Sequence, residues 1–141
     1  MAYCTQDDIL DQLDEAVLIQ LTDDDGAGEV DDDKVTRAIA DADSEIDSYC
    51  GTRYSVPFST VPAVIRKCSV DIAIYNLYAR RRGAPEDRKE RYKNSVDFLK
   101  EVSKGNASLG EDDPDATPAN KESPDISSNT RIFTRDKMQG F

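Results

Sequence analysis

The sequence of 141 residues contains no histidine and no tryptophan. The absence of histidine excludes the commonest general base, the commonest nitrogen ligand of zinc, and every Ser–His or Cys–His nucleophile pair. The three cysteines, Cys4, Cys50 and Cys68, include no Cys-x-x-Cys pair, and an odd number cannot form a fully paired disulfide framework. We therefore expect a protein that is not an enzyme, that uses no cofactor and no metal ion, and whose thiols are small buried side chains.

Long hydrophobic runs are also missing from the sequence. No segment approaches the roughly 20 consecutive apolar residues of a membrane-spanning helix. The first eight residues contain neither the basic segment nor the apolar run of a secretory signal. These absences predict a protein that has no membrane partner and resides in a reducing cytoplasm.

Patterns for holding a phosphate or a calcium ion are incomplete. No Gly-x-Gly-x-x-Gly or P-loop pattern is present. The loop at residues 22–33 contains seven acidic residues, but it fits the EF-hand spacing in neither register. With Gly26 at position 6, Leu21 stands at position 1; with Gly28 there, Lys34 stands at position 12, where a bidentate Glu is needed. We expect only nonspecific cation binding by these carboxylates. An acidic calcium sensor is kept as one functional hypothesis, beside two others given below.

Positive charge is scarce and unevenly distributed. The 18 Lys and Arg residues oppose 29 Asp and Glu residues, so the net charge is −11. Residues 1–50 contain 16 acids and 2 bases, whereas residues 51–104 contain 12 bases and 6 acids. A compact acidic domain is a poor nucleic-acid reader, because neutralisation of phosphates normally supplies most of the affinity. The two oppositely charged segments are expected to pair within one chain or between copies standing side by side.

Apolar residues at three- and four-residue steps predict an all-α fold. One broken helix or two short helices are expected at residues 6–21, after a capping box that begins at Thr5. Longer helices are expected at residues 31–50, at residues 63–82, and from residue 85 to Gly105. We predict a small bundle of four to five helices over residues 3–105, followed by a long, largely irregular C-terminal tail at residues 106–141.

The helix predicted at residues 63–82 is apolar on more than one face, which is typical of the buried centre of a bundle. A buried Asp71 within it would need an arginine partner, for which Arg53 is our candidate. Gly51 is expected to end the preceding helix in the left-handed conformation that favours glycine.

The predicted tail combines a polar linker with an apolar and basic ending. Residues 105–125 contain three prolines and one large apolar residue, Leu109, so we expect a solvated linker without a core of its own. The ending is either disordered or a tethered peptide that docks on another subunit or partner. The docking candidates are Arg131, Ile132, Phe133, Arg135, Met138 and Phe141.

Two charged surfaces are candidates for contacts between subunits. They are the acidic helix at residues 31–50 and the basic hairpin at residues 80–93. We expect them to pair within or between subunits, although the same hairpin would contact DNA in a nucleic-acid-binding regulator, which is the alternative function. The inter-subunit candidates are Asp41, Glu45, Asp47, Arg80, Arg81, Arg82 and Arg88.

Several strings of the sequence resemble the phage Mu-like neck protein family, and they occur in the family's order over nearly the whole chain. The longest is AIADADSEIDSY at residues 38–49, followed by RYSVP at residues 53–57. The others are LTD at 21–23, IAIYNL at 72–77 with Arg81 and Arg82, RYK at 91–93 leading to Leu99 and Gly105, and RIFTRD at 131–136. Cys50 departs from the family pattern, because a larger aliphatic residue is expected there.

The resemblance implies a small helical head–tail connector (adaptor) in the neck of a virion, made in the cytoplasm of the bacterial host. It implies a ring of about twelve copies beneath the portal. The partners it implies are the portal protein, the next neck or tail component, and neighbouring copies of the chain. DNA would pass through the ring without specific binding, along an acidic wall that repels its phosphates. The resemblance brings no catalytic residues.

Overall fold

A computed structural model describes residues 1–81 and 83–110 of the chain. This part is built from five α-helices without a β-strand, so the all-α prediction is confirmed. Residues 6–21, expected as one broken or two short helices, form two. The helices are α1 (Gln6–Leu10), α2 (Glu15–Thr22), α3 (Asp32–Cys50), α4 (Ala63–Ala79) and α5 (Glu86–Lys104).

The first helix begins where local chemistry favours it. Thr5 and Asp8 form the predicted capping box, in which the Asp8 amide donates to Thr5 Oγ1 at 3.3 Å and the Thr5 amide donates to Asp8 Oδ2 at 2.8 Å. Leu13, in the turn between the helices, is buried and holds this turn on the core.

The core is centred on α4, which packs against all four other helices. Its buried positions occur on every side of the helix, as its sequence predicted, and Ile65, Ile72 and Ile74 are fully buried. The helix ends at Ala79, three residues earlier than expected. Because α4 has apolar neighbours all around it, the packing of the whole bundle depends on this helix.

The last helix ends as predicted, but the core continues beyond it. Gly105 caps α5 in the left-handed conformation, with φ of 87°. The interpretation of Leu109 as part of a solvated linker is wrong, since this side chain is only 8% exposed and belongs to the main hydrophobic core. An apolar side chain placed four residues after a helix stop folds back on the bundle because burial removes its surface from water.

The prediction for Gly51 is wrong in its conformation. Gly51 caps α3 with φ of −61° and ψ of −12°, which lies in the right-handed helical region. A Cβ atom there would approach the carbonyl oxygen of Asp47 to 2.8 Å and Val56 Cγ2 to 3.3 Å. Lack of space, rather than a positive φ, therefore favours glycine at this position.

The predicted pairing of Asp71 with Arg53 is also wrong. Asp71 is buried between α4 and α5, where Ser95 Oγ lies 3.4 Å and Lys67 Nζ lies 3.5 Å from Oδ2. Arg53 instead donates from Nη1 to the carbonyl oxygen of Val102 at 3.4 Å. An arginine beside the last turn of a helix satisfies carbonyl groups that have no partner within the helix.

Some predicted residues lie outside the part that the structure describes. These are the tail candidates Arg131, Ile132, Phe133, Arg135, Met138 and Phe141, and the inter-subunit candidate Arg82.

The central place of α4 is tested by Ile72→Ala. Ile72 has no exposed surface, so the shorter side chain loses burial and leaves a cavity. We expect the free energy of unfolding, measured by urea denaturation, to fall by about 2–5 kcal/mol. The control, Arg66→Ala at an exposed position of the same helix, should change it by less than about 0.5 kcal/mol. A loss below about 1 kcal/mol for Ile72→Ala would contradict the placement of α4 at the centre.

The close approach at Gly51 predicts that Gly51→Ala is destabilising. The added Cβ meets a backbone oxygen, which cannot move aside without disturbing the last turn of α3. We expect a loss on the order of 1–3 kcal/mol in the same denaturation experiment, as for other overpacked sites. Ser59→Ala, in an exposed part of the following connector, is the matched control. Equal melting temperatures for the two variants would rule out the close approach.

Candidate functional site

The arginines that follow α4 bind the C-terminal end of α2. Arg80 Nη1 donates to the carbonyl oxygen of Leu21 at 2.9 Å, and Arg81 Nη1 donates to that of Gln20 at 2.8 Å. Lys34 Nζ donates to the carbonyl oxygen of Thr22 at 3.1 Å. Three cations thus satisfy the last carbonyl groups of α2 and lie at the negative end of its dipole.

One acidic side chain contacts all three of these cations. Asp24 forms ion pairs with Lys34 at 2.9 Å, with Arg81 at 2.7 Å, and with Arg80. Hydrogen bonds from Lys34 and then from Arg80 hold the pKa of Asp24 far below its usual value. We call Lys34, Arg80, Arg81 and Asp24 the α2 cap; it joins the acidic loop at residues 22–33 to the end of α4.

The acidic loop is organised by its own backbone. Asp23 accepts hydrogen bonds from the amides of Gly28 at 2.8 Å and Ala27 at 2.9 Å, and the first of these contributes most to its lowered pKa. Within residues 1–81 and 83–110, no cluster of three or more His, Cys, Asp and Glu side chains is arranged to hold a metal ion. Within the loop, Asp23 thus binds main-chain amides and Asp24 binds cationic side chains.

Arg88 binds inside the chain too. Its Nη2 donates to the carbonyl oxygen of Gln12 at 2.8 Å, in the turn after α1, and its side chain is only 13% exposed. Arg91, one turn further along α5, donates to Oε1 of the same glutamine at 3.3 Å. These contacts fix the start of α5 against the turn between α1 and α2.

The acidic side of α3 is divided between the interior and the surface. Asp43 Oδ1 accepts from Ser69 Oγ at 2.8 Å, and Oδ2 accepts from the Tyr3 amide at 3.0 Å. The Tyr3 hydroxyl donates to Asp47, while Asp41 is exposed. The helix predicted as acidic at residues 31–50 therefore turns Asp41 to solvent, whereas Asp43 and Asp47 bind groups of the same chain.

Burial governs the ionisation of the groups in this region. It raises the pKa of Asp43, although the bonds from Ser69 and Tyr3 act in the opposite direction. Burial also raises the pKa of the Cys4 thiol to about 11, with Ser69 Oγ at 3.2 Å from its sulfur. Cys4, Cys50 and Cys68 are all buried and form no disulfide, as expected for small core side chains. The Cys4 thiol therefore carries little of the thiolate that a nucleophile requires.

The contacts of Tyr3 create an open groove. Residues 1–6 run along α3 and, with Pro57, enclose a volume of about 560 Å³. We call it the α3 groove. Its apolar lining is contributed by Met1, Ala2, Val35, Ile39, Ala40 and Pro57.

Glu45 lies at a third place on α3, where the helix meets α5. Its Oε1 accepts from the Tyr92 hydroxyl at 3.0 Å, and the Tyr92 ring stacks on Tyr75 with 4.0 Å between ring centres. Burial, followed by the bond to Glu45, raises the pKa of Tyr92 to about 12. This contact joins all three long helices.

The structure therefore brings most of the predicted inter-subunit residues into contacts within one chain. Arg80 and Arg81 belong to the α2 cap, and Arg88 binds the turn after α1. Glu45 and Asp47 are half-buried acceptors of tyrosine hydroxyls. Asp41 alone among the described candidates is exposed and has no partner in the described part. Their use between subunits stays a prediction.

The α3 groove was not predicted from the sequence. Asp43 lies 40 residues from Tyr3 and 26 residues from Ser69 along the chain, and the three residues belong to three different elements. The available signal was the alternation within the acidic run, in which Asp43 and Asp47 lie one turn apart. That spacing places them on one side of α3 but does not show that the side faces the N-terminal segment.

Comparisons with known proteins find similarity over most of the chain. The family described as "Bacteriophage Mu, Gp36" matches residues 3–128 of the chain. A Mu-like prophage FluMu protein gp36 from Haemophilus influenzae is 36% identical over 115 residues, which cover 82% of this chain and 80% of the relative. "Gene product J" of Escherichia phage Mu is 28% identical over 115 residues, covering 81% and 79%. Of the helices in the described part, none is both long enough and apolar enough to cross a membrane.

The α2 cap predicts a pH-dependent effect of Asp24→Asn. Because the pKa of Asp24 is lowered in the folded state, its contribution to stability is complete above its usual value of 3.8 and is lost as the pH falls below it. The variant should melt at a lower temperature than the wild type at pH 7 and low salt. The difference should narrow in 1 M salt, because screening weakens the ion pairs, and below pH 3, because the unfolded chain then binds a proton that the folded Asp24 binds only at lower pH.

Asp25→Asn is the control for this experiment, since Asp25 is an exposed neighbour without an ion pair in the described part. The Asp25→Asn variant should have the melting temperature of the wild type at pH 7 and below pH 3. Equal melting curves for Asp24→Asn and the wild type at pH 7 would contradict the role assigned to the α2 cap.

Proposed function

The chain belongs to the Gp36 family of bacteriophage Mu, and from this premise we propose that it is a structural protein of a Mu-like phage or prophage virion. We propose that it acts as a head–tail connector (adaptor), forming a ring of about twelve copies beneath the portal during head–tail joining. Its partners are then the portal protein, the next neck or tail component, and neighbouring copies. The protein is made in the bacterial cytoplasm and ends in the neck of the virion.

The family match carries this proposal because of its extent. It runs from residue 3 through residue 128, so it includes the helical bundle and more than half of the residues after Gly105. The identities with the prophage and phage proteins likewise extend over about four fifths of each chain. A match that continues past a bundle favours one function for the bundle and the following segment together.

The chemistry of the described part supports a role in binding other proteins. The arginines of the α2 cap form ion pairs with Asp24, and the Cys4 thiol is buried. These groups therefore stabilise the fold. The exposed charges include Asp41 on α3 and Lys93 on α5. Charges of opposite sign on different faces orient neighbouring copies, although exposed pairs add little affinity.

The acidic surface suits the passage of DNA through such a ring. Among the first 33 residues there is no base, and the exposed acids there include Asp7, Asp11, Asp14 and Glu15. Repulsion of phosphates by carboxylates keeps DNA from adhering to a surface of this kind. We propose that an acidic surface of the bundle faces the channel.

The competing function is a nucleic-acid-binding regulator that uses the hairpin at residues 80–93. The contacts of Arg80, Arg81 and Arg88 with carbonyl oxygens weigh against it, since these guanidinium groups are occupied. Retardation of duplex DNA in 50 mM salt distinguishes the two functions. Tight binding that falls steeply with added salt would favour the regulator, whereas unretarded DNA favours the connector.

Inactivation of the gene in its phage or prophage tests the connector directly. After induction, electron microscopy should show DNA-filled heads and separate tails, because the joining step is lost. Complementation with the full chain should restore complete particles, whereas a chain truncated after Gly110 should not. Truncation at this point retains Leu109 and therefore should keep the melting temperature of the bundle nearly unchanged.

Two results would contradict this prediction. Complete, infectious particles without the protein would exclude a connector role. Complete particles with the truncated chain would show that residues 111–141 are dispensable for joining. Circular dichroism of the purified truncated chain is the control, since it separates a missing tail function from a failure to fold.

A further inference from the structure

The α3 groove has the shape and lining of a site for an extended peptide. It is open along α3 and about 560 Å³ in volume, and its floor includes the buried side chains of Val35 and Ile39. Its rim includes the exposed residues Ala2, Ala40 and Pro57. A concave, largely apolar surface with a few fixed polar groups is the usual form of a binding site.

The polar groups of the groove carry negative charge that lacks a side-chain cation. Asp43 and Asp47 lie one helical turn apart, are half-buried, and form no ion pair with a side chain in the described part. They accept hydrogen bonds from Tyr3 and Ser69, which are neutral donors. Two like charges at this spacing repel each other, so a cation bound beside them lowers the free energy of the folded chain.

The end of the chain has the chemistry that this site needs. Residues 131–141 carry three bases, Arg131, Arg135 and Lys137, and one acid. Between and after the two arginines stand the apolar side chains Ile132, Phe133, Met138 and Phe141. Guanidinium groups bind half-buried carboxylates, and aromatic and aliphatic side chains fill an apolar groove.

The segment before this end is long enough to reach a neighbouring copy. Residues 111–130 carry six acids and one base. Charged linkers of this kind repel themselves and extend, and an acidic bundle repels them as well. A linker of 20 residues has an average span of roughly 25 Å and a maximum of roughly 66 Å.

From these observations we propose that residues 131–141 of one chain dock in the α3 groove of a second copy, with Arg131 and Arg135 beside Asp43 and Asp47. The inference rests on the proposed function, in which copies stand side by side in a ring. Each copy then offers one groove and one tail, so the contact is head-to-tail and passes from copy to copy around a closed ring.

Disulfide trapping between two full-length variants tests this docking. One variant is Ala40→Cys, at an exposed position on the rim of the groove, and the other is Phe133→Cys. The two purified proteins are mixed under mild oxidation, and the linked product is identified by non-reducing electrophoresis and peptide mass analysis. We expect a disulfide between the two introduced thiols that disappears on reduction. Because these thiols are on different chains, it reports contact between copies.

Matched variants set the background of the experiment. Lys93→Cys replaces Ala40→Cys as an equally exposed thiol on α5, which contributes no residue to the groove. Its yield with Phe133→Cys should be lower by about tenfold or more, as for a contact whose dissociation constant is about tenfold higher. Adding Arg131→Glu and Arg135→Glu to the Phe133→Cys chain should lower the yield at Ala40→Cys by a similar factor, and the remaining yield should depend little on salt.

Three results would overturn the proposal. The first is an equal yield at Ala40→Cys and Lys93→Cys. The second is a yield at Ala40→Cys that is unchanged by reversing the two arginines. The third is a disulfide that forms when both substitutions are in one chain but not when they are in different chains, which would place the tail in its own groove.

The outcome is separable from that of the proposed function. The trapping experiment uses purified protein, whereas the connector role is read from phage particles. If trapping fails while loss of the gene still leaves heads and tails unjoined, the docking proposal is wrong and the connector role is supported. If trapping succeeds while particles assemble without the protein, docking stands and the connector role is excluded.

Discussion

Burial of α4 on all sides is the constraint on which the rest of the structure depends. A helix with the buried Ile65 and Ile72 on one face and the buried Ile74 on the opposite face is stable in water only when other elements surround it. The helices α3 and α5 provide the two largest contacts, and the short α1 and α2 cover what remains. Each of these helices buries one side only, so their outer faces keep the charges that make up a third of the sequence.

Several arginines of the described part act as caps on the ends of other helices or bind the turns beside them. Arg53 binds the last turn of α5, the arginines after α4 bind the last carbonyl groups of α2, and Arg88 binds the turn that follows α1. This arrangement satisfies helix ends that lack partners of their own and places cations at the negative ends of helix dipoles. These guanidinium groups are consequently held by contacts within the chain.

The acidic residues of α3 perform different tasks although they are close in sequence. Asp41 is exposed, Glu45 joins α3 to α5 through Tyr92, and Asp43 and Asp47 hold the first residues of the chain along the helix. The last of these contacts forms the α3 groove and leaves two half-buried carboxylates within it. A surface for a basic and apolar peptide thus results from the way the N-terminal segment is attached.

The sequence by itself determined the class of the fold, the order of the helices and the central place of α4, because hydrophobic periodicity and caps such as Thr5 and Gly105 are local properties. Tertiary structure alone decided the partner of Asp71, the conformation of Gly51, the burial of Leu109 and the inward direction of Asp43. Each of these depends on residues from another element, and a pattern along one segment does not report the distance or direction of its neighbours. For the same reason the α3 groove was missed: the spacing of its aspartates defines a side of the helix, but packing decides what that side meets.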